Sequence, residues 1–117
     1  MKKPLAIVYF GTSRFAVPPL ARLLADSGRF RVALVVSQAD KPAGRDGTLA
    51  VSPVARTAKE NGLPLYQPTK LRDGEAKTKI AALAPDLFVV AAYGKIIPQD
   101  ILDIPRLGSL KIGRAHV

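Results

Sequence analysis

Hydrophobic positions fall into short continuous runs, separated by stretches with helical spacing or by polar, Gly- and Pro-punctuated segments. Leu5-Ala6-Ile7-Val8-Tyr9-Phe10 reads as a first strand, Phe30-Arg31-Val32-Ala33-Leu34-Val35-Val36 as a second, and Leu87-Phe88-Val89-Val90-Ala91-Ala92 as a third long one. Their β-branched and aromatic content suits strands buried on both faces, as in a parallel sheet. Leu63-Pro64-Leu65-Tyr66 is a shorter strand, placed near an edge by its proline. Leu107-Gly108-Ser109-Leu110 begins another.

Helical patterns lie between the strands. Ser13 is a candidate cap for a helix with apolar positions at Phe15, Leu20, Leu23 and Leu24, with Pro18 and Pro19 at or before its first turn and Gly28 past its end. Ser52 and Pro53 have the types expected at an N-cap and first helical position. Val54 and Ala58 share a face of that helix, and Asn61-Gly62 ends it. The spacing predicts a further helix over 71–84, with Ile80 and Leu83 inward and an i,i+4 pair of Glu75 and Lys79. Residues 98–102 form a short helical turn. This alternation predicts an α/β fold: an open parallel sheet with helices on both faces, Rossmann-like in outline.

In such sheets ligands sit beyond the carboxyl ends of strands, where strand order reverses. The loop after the third long strand, Tyr93-Gly94-Lys95-Ile96-Ile97, is therefore a candidate small-molecule site, and a plain structural turn is the simpler alternative. The segment over 37–48, Ser37-Gln38-Ala39-Asp40-Lys41-Pro42-Ala43-Gly44-Arg45-Asp46-Gly47-Thr48, is long, polar and flexible in composition. Lys41 and Arg45 on it suit a phosphate backbone; a solvated connector is the alternative. Gly11-Thr12-Ser13-Arg14-Phe15 lacks the three-glycine dinucleotide fingerprint, and no Gly-Lys-Ser/Thr phosphate loop occurs. No bound nucleotide is expected there, and Gly11 is read as serving close packing.

Length and composition narrow this further. A chain of 117 residues makes one small domain. Eighteen Lys and Arg against nine Asp and Glu give a net charge of +9, which favours a polyanionic partner such as RNA over a merely solubilising surface. With no cysteine, disulfides and thiolate metal sites are excluded, which fits a cytoplasmic protein. No run is long enough to cross a bilayer. Met1-Lys2-Lys3 and the following apolar residues superficially resemble a secretory signal, but the run ends at Phe10-Gly11 with no cleavage site after it.

Several motifs together resemble one family. Phe10-Gly11-Thr12-Ser13-Arg14-Phe15-Ala16-Val17-Pro18 is similar to the opening motif of methionyl-tRNA formyltransferases. Asp40-Lys41-Pro42-Ala43-Gly44-Arg45 and Ser52-Pro53-Val54 resemble their next two motifs. Ala84-Pro85-Asp86, Ala92-Tyr93-Gly94, Ile97-Pro98 and Leu107-Gly108-Ser109 resemble a later block, part of which is shared among folate-dependent formyltransferases. The resemblance implies transfer of a formyl group from 10-formyltetrahydrofolate to the amino group of methionyl initiator tRNA, with no metal. It implies folate contacts at Tyr93, Gly94, Lys95, Ile96 and Ile97 and tRNA contacts at Lys41 and Arg45. A full-length protein of this kind is expected to be cytoplasmic and monomeric, with no membrane contact. A nucleotide-sugar or glycinamide-ribonucleotide formyltransferase is the nearest rival, and a non-catalytic RNA-binding module the other.

The chain also departs from the pattern. Asp46-Gly47-Thr48 follows Arg45 where the family continues with glycine and further cations, which weakens the attraction for phosphate. After Leu110 the resemblance implies an Asn and, two residues on, a His that serve the tetrahedral oxyanion and the amine proton, with a distant Asp. Here Lys111 and Gly113 occupy those positions, and His116 is the only histidine. No catalytic residue is therefore assigned. Ile112-Gly113-Arg114-Ala115-His116-Val117 can be encoded by ATC GGA AGA GCA CAC GTC, a string found in a short-read sequencing adapter, and a truncated Asn codon running into it gives Lys111. Residues 1–110 are thus read as part of a formyltransferase N-terminal domain and 111–117 as adapter read-through; a divergent natural terminus is the alternative. An unpaired strand edge in such a piece predicts poor solubility.

Overall fold

The computed structural model describes residues 3–42 and 49–112. Five parallel strands form the central sheet: β1 (Leu5–Gly11), β2 (Phe30–Val36), β5 (Leu65–Tyr66), β6 (Leu87–Ala91) and β7 (Ser109–Ile112), in the order β5-β2-β1-β6-β7. β1 therefore occupies the middle, with Ile7 to Gly11 opposite Leu87 to Ala91 of β6. On its other side, Ile7 faces Val32 and Val8 faces Leu34, so Ala33 is an extra residue on β2. That bulge explains why Val32 and Val35, three apart, pack on the same side of the sheet.

Helices cover both faces, as the alternation predicts. On one face, α1 (Val17–Ala25) and α2 (Pro53–Glu60) bury Leu20, Val54 and Ala58 against Ile7, Tyr9, Val35 and Val89. On the other, α3 (Glu75–Ala81) and α4 (Gln99–Leu102) bring Ile80 and Ile101 onto Val8, Phe10, Val36 and Phe88. Phe10 and Phe88 pack with their rings tilted by 58° and 4.9 Å between centroids. Each such fully buried side chain stabilises the fold by about 1.5–3 kcal/mol.

Local signals explain where the helices begin and end. Ser52 caps α2 by accepting the Ala55 amide at 3.0 Å, and Pro53 occupies the first turn, where its missing N–H costs nothing. The helix stops at Asn61, with Gly62 in the left-handed region at φ +66°. Gly11 carries no Cβ because one would lie 2.8 Å from the Ala16 Cβ and 3.0 Å from the Ala91 carbonyl.

Several expectations are corrected. Ser13 caps a 3-10 turn (Arg14–Ala16), not an α-helix, and Phe15 on that turn is 62% exposed. Pro18 and Pro19 bar α-helical hydrogen bonding further upstream, so α1 starts only at Val17. The helix expected over 71–84 is shorter, because Gly74 enters it at φ +86° and Ala84 turns out of it at φ +47°. Leu83 is consequently 37% exposed instead of inward. Among the described residues Glu75 and Lys79 form no ion pair; the Lys79 ammonium lies 5.0 Å from the Tyr66 ring centroid, and Lys77 meets Asp100 at 3.5 Å. The segment over 37–48 is not open throughout: β3 (Lys41–Pro42) pairs antiparallel with β4 (Leu49–Ala50). Arg45 and the tail over 113–117 lie outside the described residues.

Candidate functional site

Strand order reverses between β1 and β6. The chain leaving β1 enters the 3-10 turn and α1 on one face, while the chain leaving β6 carries Tyr93, Ile97 and Ile101 to the other. The crevice beyond their carboxyl ends is the place where an open α/β sheet binds ligands.

Polar groups from five segments close this rim. The Thr12 hydroxyl donates to the Tyr93 carbonyl at 2.7 Å, and the Gln38 side-chain amide donates to the same oxygen at 2.7 Å. The Gln38 backbone N–H reaches the Thr12 hydroxyl at 3.3 Å, and the Thr12 N–H donates to the Ala92 carbonyl at 3.1 Å. Ser37, fully buried at the end of β2, shares a 2.7 Å hydrogen bond with the Ser52 hydroxyl. The Gln67 side-chain amide donates to the Gln38 carbonyl at 3.2 Å and to Asp40 at 2.7 Å. The turn so held is strained at Ala92, φ +47°, while Gly94 takes φ +91° without strain.

The five loop residues singled out by sequence do not act as one surface. The Tyr93 ring is buried, edge-on to Phe10 at 5.6 Å, and only its carbonyl faces the rim network. Its hydroxyl has no hydrogen-bond partner among the described residues, and burial, with a smaller contribution from Tyr66, pushes its pKa up to about 12. Gly94 abuts the Gln38 amide, so a Cβ there would collide with it. Ile97 is buried among Phe88 and Ile101. Lys95 and Ile96 alone turn outward: Lys95 donates to the Thr69 carbonyl at 3.1 Å, and Ile96 is 82% exposed.

Two concavities flank the turn. Lys95 and Ile96 line an open pocket of about 320 Å³ with Thr69, Lys70, Leu71 and Arg72, combining apolar walls with three cations. A second, of about 270 Å³, lies between Thr12, Gln38, Lys41 and Ser52, so Lys41 does stand at the rim. The α2 amides at its edge are already taken: Val54 donates to the Thr12 carbonyl and Ala55 to the Ser52 hydroxyl. Among the described residues no group of three His, Asp or Glu is placed to hold a metal ion, and no helix is long and apolar enough to cross a membrane.

Sequence reasoning missed Thr12, Ser37, Gln38 and Gln67. A signal was present for two of them: Ser37-Gln38 directly follows an apolar strand, where the first polar side chains of a parallel sheet emerge at its ligand-binding edge.

Over 110 residues the chain is 49% identical to a methionyl-tRNA formyltransferase of Pseudomonas fluorescens, covering 94% of this chain and 34% of that protein. It is 47% identical over 112 residues to the protein of that name in Chromohalobacter salexigens, covering 96% of this chain and 34% of the relative. The corresponding protein of Geobacillus thermodenitrificans is 46% identical over 106 residues, or 91% of this chain and 33% of the relative. The chain thus spans about a third of the length of these curated relatives. A family model described as formyl transferase matches residues 3–115, almost the whole chain, and the chain belongs to the formyl transferase family.

Proposed function

We propose that this chain is part of a methionyl-tRNA formyltransferase, which moves the formyl group of 10-formyltetrahydrofolate to the amino group of methionyl initiator tRNA. The observation that carries the reading is identity near one half to proteins of that name across almost the whole chain. The rim suits both substrates. Ile96 offers an exposed apolar side chain for an aromatic ring system, and Lys70, Arg72 and Lys95 beside it complement folate carboxylates. Tyr93, Gly94 and Ile97 support that surface from beneath instead of touching the ligand through their side chains. Lys41, on the ribbon across the rim, meets the tRNA acceptor end, with Arg45 as its partner in this reading.

The donor and acceptor of the reaction bring their own reacting groups; this chain's residues bind and orient. Lys111, exposed in β7 opposite Val90, stands where the family pattern has Asn. The oxyanion donor and the base accordingly lie outside residues 1–110 in this reading, and 111–117 are foreign to the protein. Genomic DNA running from the Leu110 codon into an Asn-x-His sequence is the expected result; an unbroken natural frame through Val117 overturns that part. The full-length enzyme is cytoplasmic and monomeric in this proposal.

A chimera tests the function. Residues 1–110 replace the aligned third of the Pseudomonas fluorescens protein, and transfer to charged initiator tRNA is measured against other formyl acceptors. Formylation of methionyl initiator tRNA is expected. A folded chimera that binds RNA in a salt-sensitive manner without transfer, or that formylates a nucleotide sugar instead, overturns it.

A further inference from the structure

The candidate folate turn is held from outside, by a side chain on a different strand. The Tyr93 carbonyl accepts two hydrogen bonds of 2.7 Å, from the Thr12 hydroxyl and the Gln38 side-chain amide. The Gln38 amide also fills the space that a Cβ on Gly94 would need. Residues on either side of Tyr93 sit in the left-handed region, at φ +47° and +91°. For Ala92 that conformation is unfavourable and persists only where the surroundings impose it. Gln38 is in turn fixed at both ends: its N–H reaches the Thr12 hydroxyl at 3.3 Å, and its carbonyl accepts from Gln67 at 3.2 Å.

We propose that Gln38 is a positioning residue for the folate turn: with Thr12, it clamps the Tyr93 carbonyl and so fixes the direction in which Lys95 and Ile96 leave the rim. Gln38 itself touches no substrate in this assignment; it acts through the backbone of Ala92, Tyr93 and Gly94. The proposal rests on the reading of this turn as the folate surface. It assigns the end of β2 a role in donor binding, although the segment that follows Gln38 is assigned to tRNA.

The test compares wild type with Gln38→Leu, which keeps much of the side-chain volume and removes the donor. Two measurements are made on the full-length chimera described above, which carries residues 1–110 of this chain. The first, without ligand, is the carbonyl ¹³C resonance of Tyr93, which moves upfield when a hydrogen bond to it is lost. The second is the Kd of 5-formyltetrahydrofolate, a stable folate probe, by calorimetry. One lost net hydrogen bond corresponds to about a three- to tenfold weaker Kd. Val32→Ala, distant from the turn and destabilising, serves as control: it leaves both the resonance and the Kd in place, so a change seen with Gln38→Leu is not a consequence of lost stability. Gln38→Leu with an unmoved Tyr93 resonance overturns the clamp whatever folate does. A moved resonance with an unchanged Kd overturns its role in donor binding. A moved resonance in a chain whose wild type does not bind the probe overturns the folate reading of the turn and leaves the clamp standing.

Discussion

The Tyr9 hydroxyl, buried beneath α1, donates to the Ala16 carbonyl at 2.5 Å, and this bond joins the middle strand to the turn leading into the helix above it. Removing the hydroxyl leaves that carbonyl buried without its partner. Tyr9→Phe is expected to destabilise by about 1–3 kcal/mol, read from chemical denaturation.

Tyr93 is the opposite case, because its hydroxyl is buried with no partner among the described residues. Tyr93→Phe removes an unsatisfied polar atom and keeps the edge-on contact with Phe10. It is expected to be neutral or to stabilise by about 1 kcal/mol. The hydroxyl also sets an alkaline limit. Its pKa rises from 10.0 to about 12 in the folded chain, so between those values the unfolded state releases a proton that the folded state retains. Stability is full below pH 10 and declines toward pH 12, and Tyr93→Phe flattens part of that decline in a pH series of melts.

Acid stability depends on Asp86. One carboxylate oxygen accepts the Ala6 amide at 2.7 Å and the other accepts the Arg106 Nε–H at 2.7 Å. The Ala6 N–H is the larger cause, and the Arg106 guanidinium the second, of a pKa held below the ordinary 3.8. The contribution is therefore present above the ordinary value and is lost as pH falls through the lowered one. Asp86→Asn is expected to lower stability near neutrality and to shrink the difference between pH 6 and pH 3 melts.

Backbone strain gives a paired prediction at the rim. Gly94→Ala forces a side chain into the left-handed region and onto the Gln38 amide, and is expected to cost about 1–3 kcal/mol. Ala92→Gly relieves the φ of +47° at some cost in chain entropy, for a net gain of about 0.5 kcal/mol. Opposite signs two residues apart, in one denaturation series, are the result to look for.

The outer strand accounts for the expected poor solubility. Leu110 and Ile112 follow Val89 and Ala91 in register on the α1 side of the sheet, yet are 51% and 40% exposed. Leu110→Lys is expected to raise the soluble, monodisperse fraction in size-exclusion chromatography. A wild-type chain that already runs as a clean monomer at high concentration contradicts this.

Much of this architecture is readable from residue order. The bounds of β2 coincide with its apolar run, and Ser52-Pro53 marks the start of α2 to the residue, because caps and continuous hydrophobic runs are local properties. What escaped depends on distant partners. Nothing local shows that Gly74 and Ala84 trim the third helix, or that Pro42 and Leu49 pair across the basic segment. The turn over 93–97 does lie where strand order reverses, as topology implies, but the orientation of its side chains was not legible. Tyr93 is read in sequence as a folate contact, and Phe10, 83 residues earlier, draws its ring inward. Gln38 and Gln67 look like ordinary loop polars until the sheet brings four strand ends together.

The place of β1 in the middle of the sheet also bears on biosynthesis. Its backbone pairs with β2 nearby in the chain, but its other edge waits for β6, and the amide of Ala6 waits for a carboxylate 80 residues downstream. At about 5–20 residues per second, a ribosome takes roughly 4–16 s to supply that second neighbour. During this interval the nascent chain exposes one unpaired backbone edge of β1 together with its apolar side chains, a surface of the kind that chaperones shield.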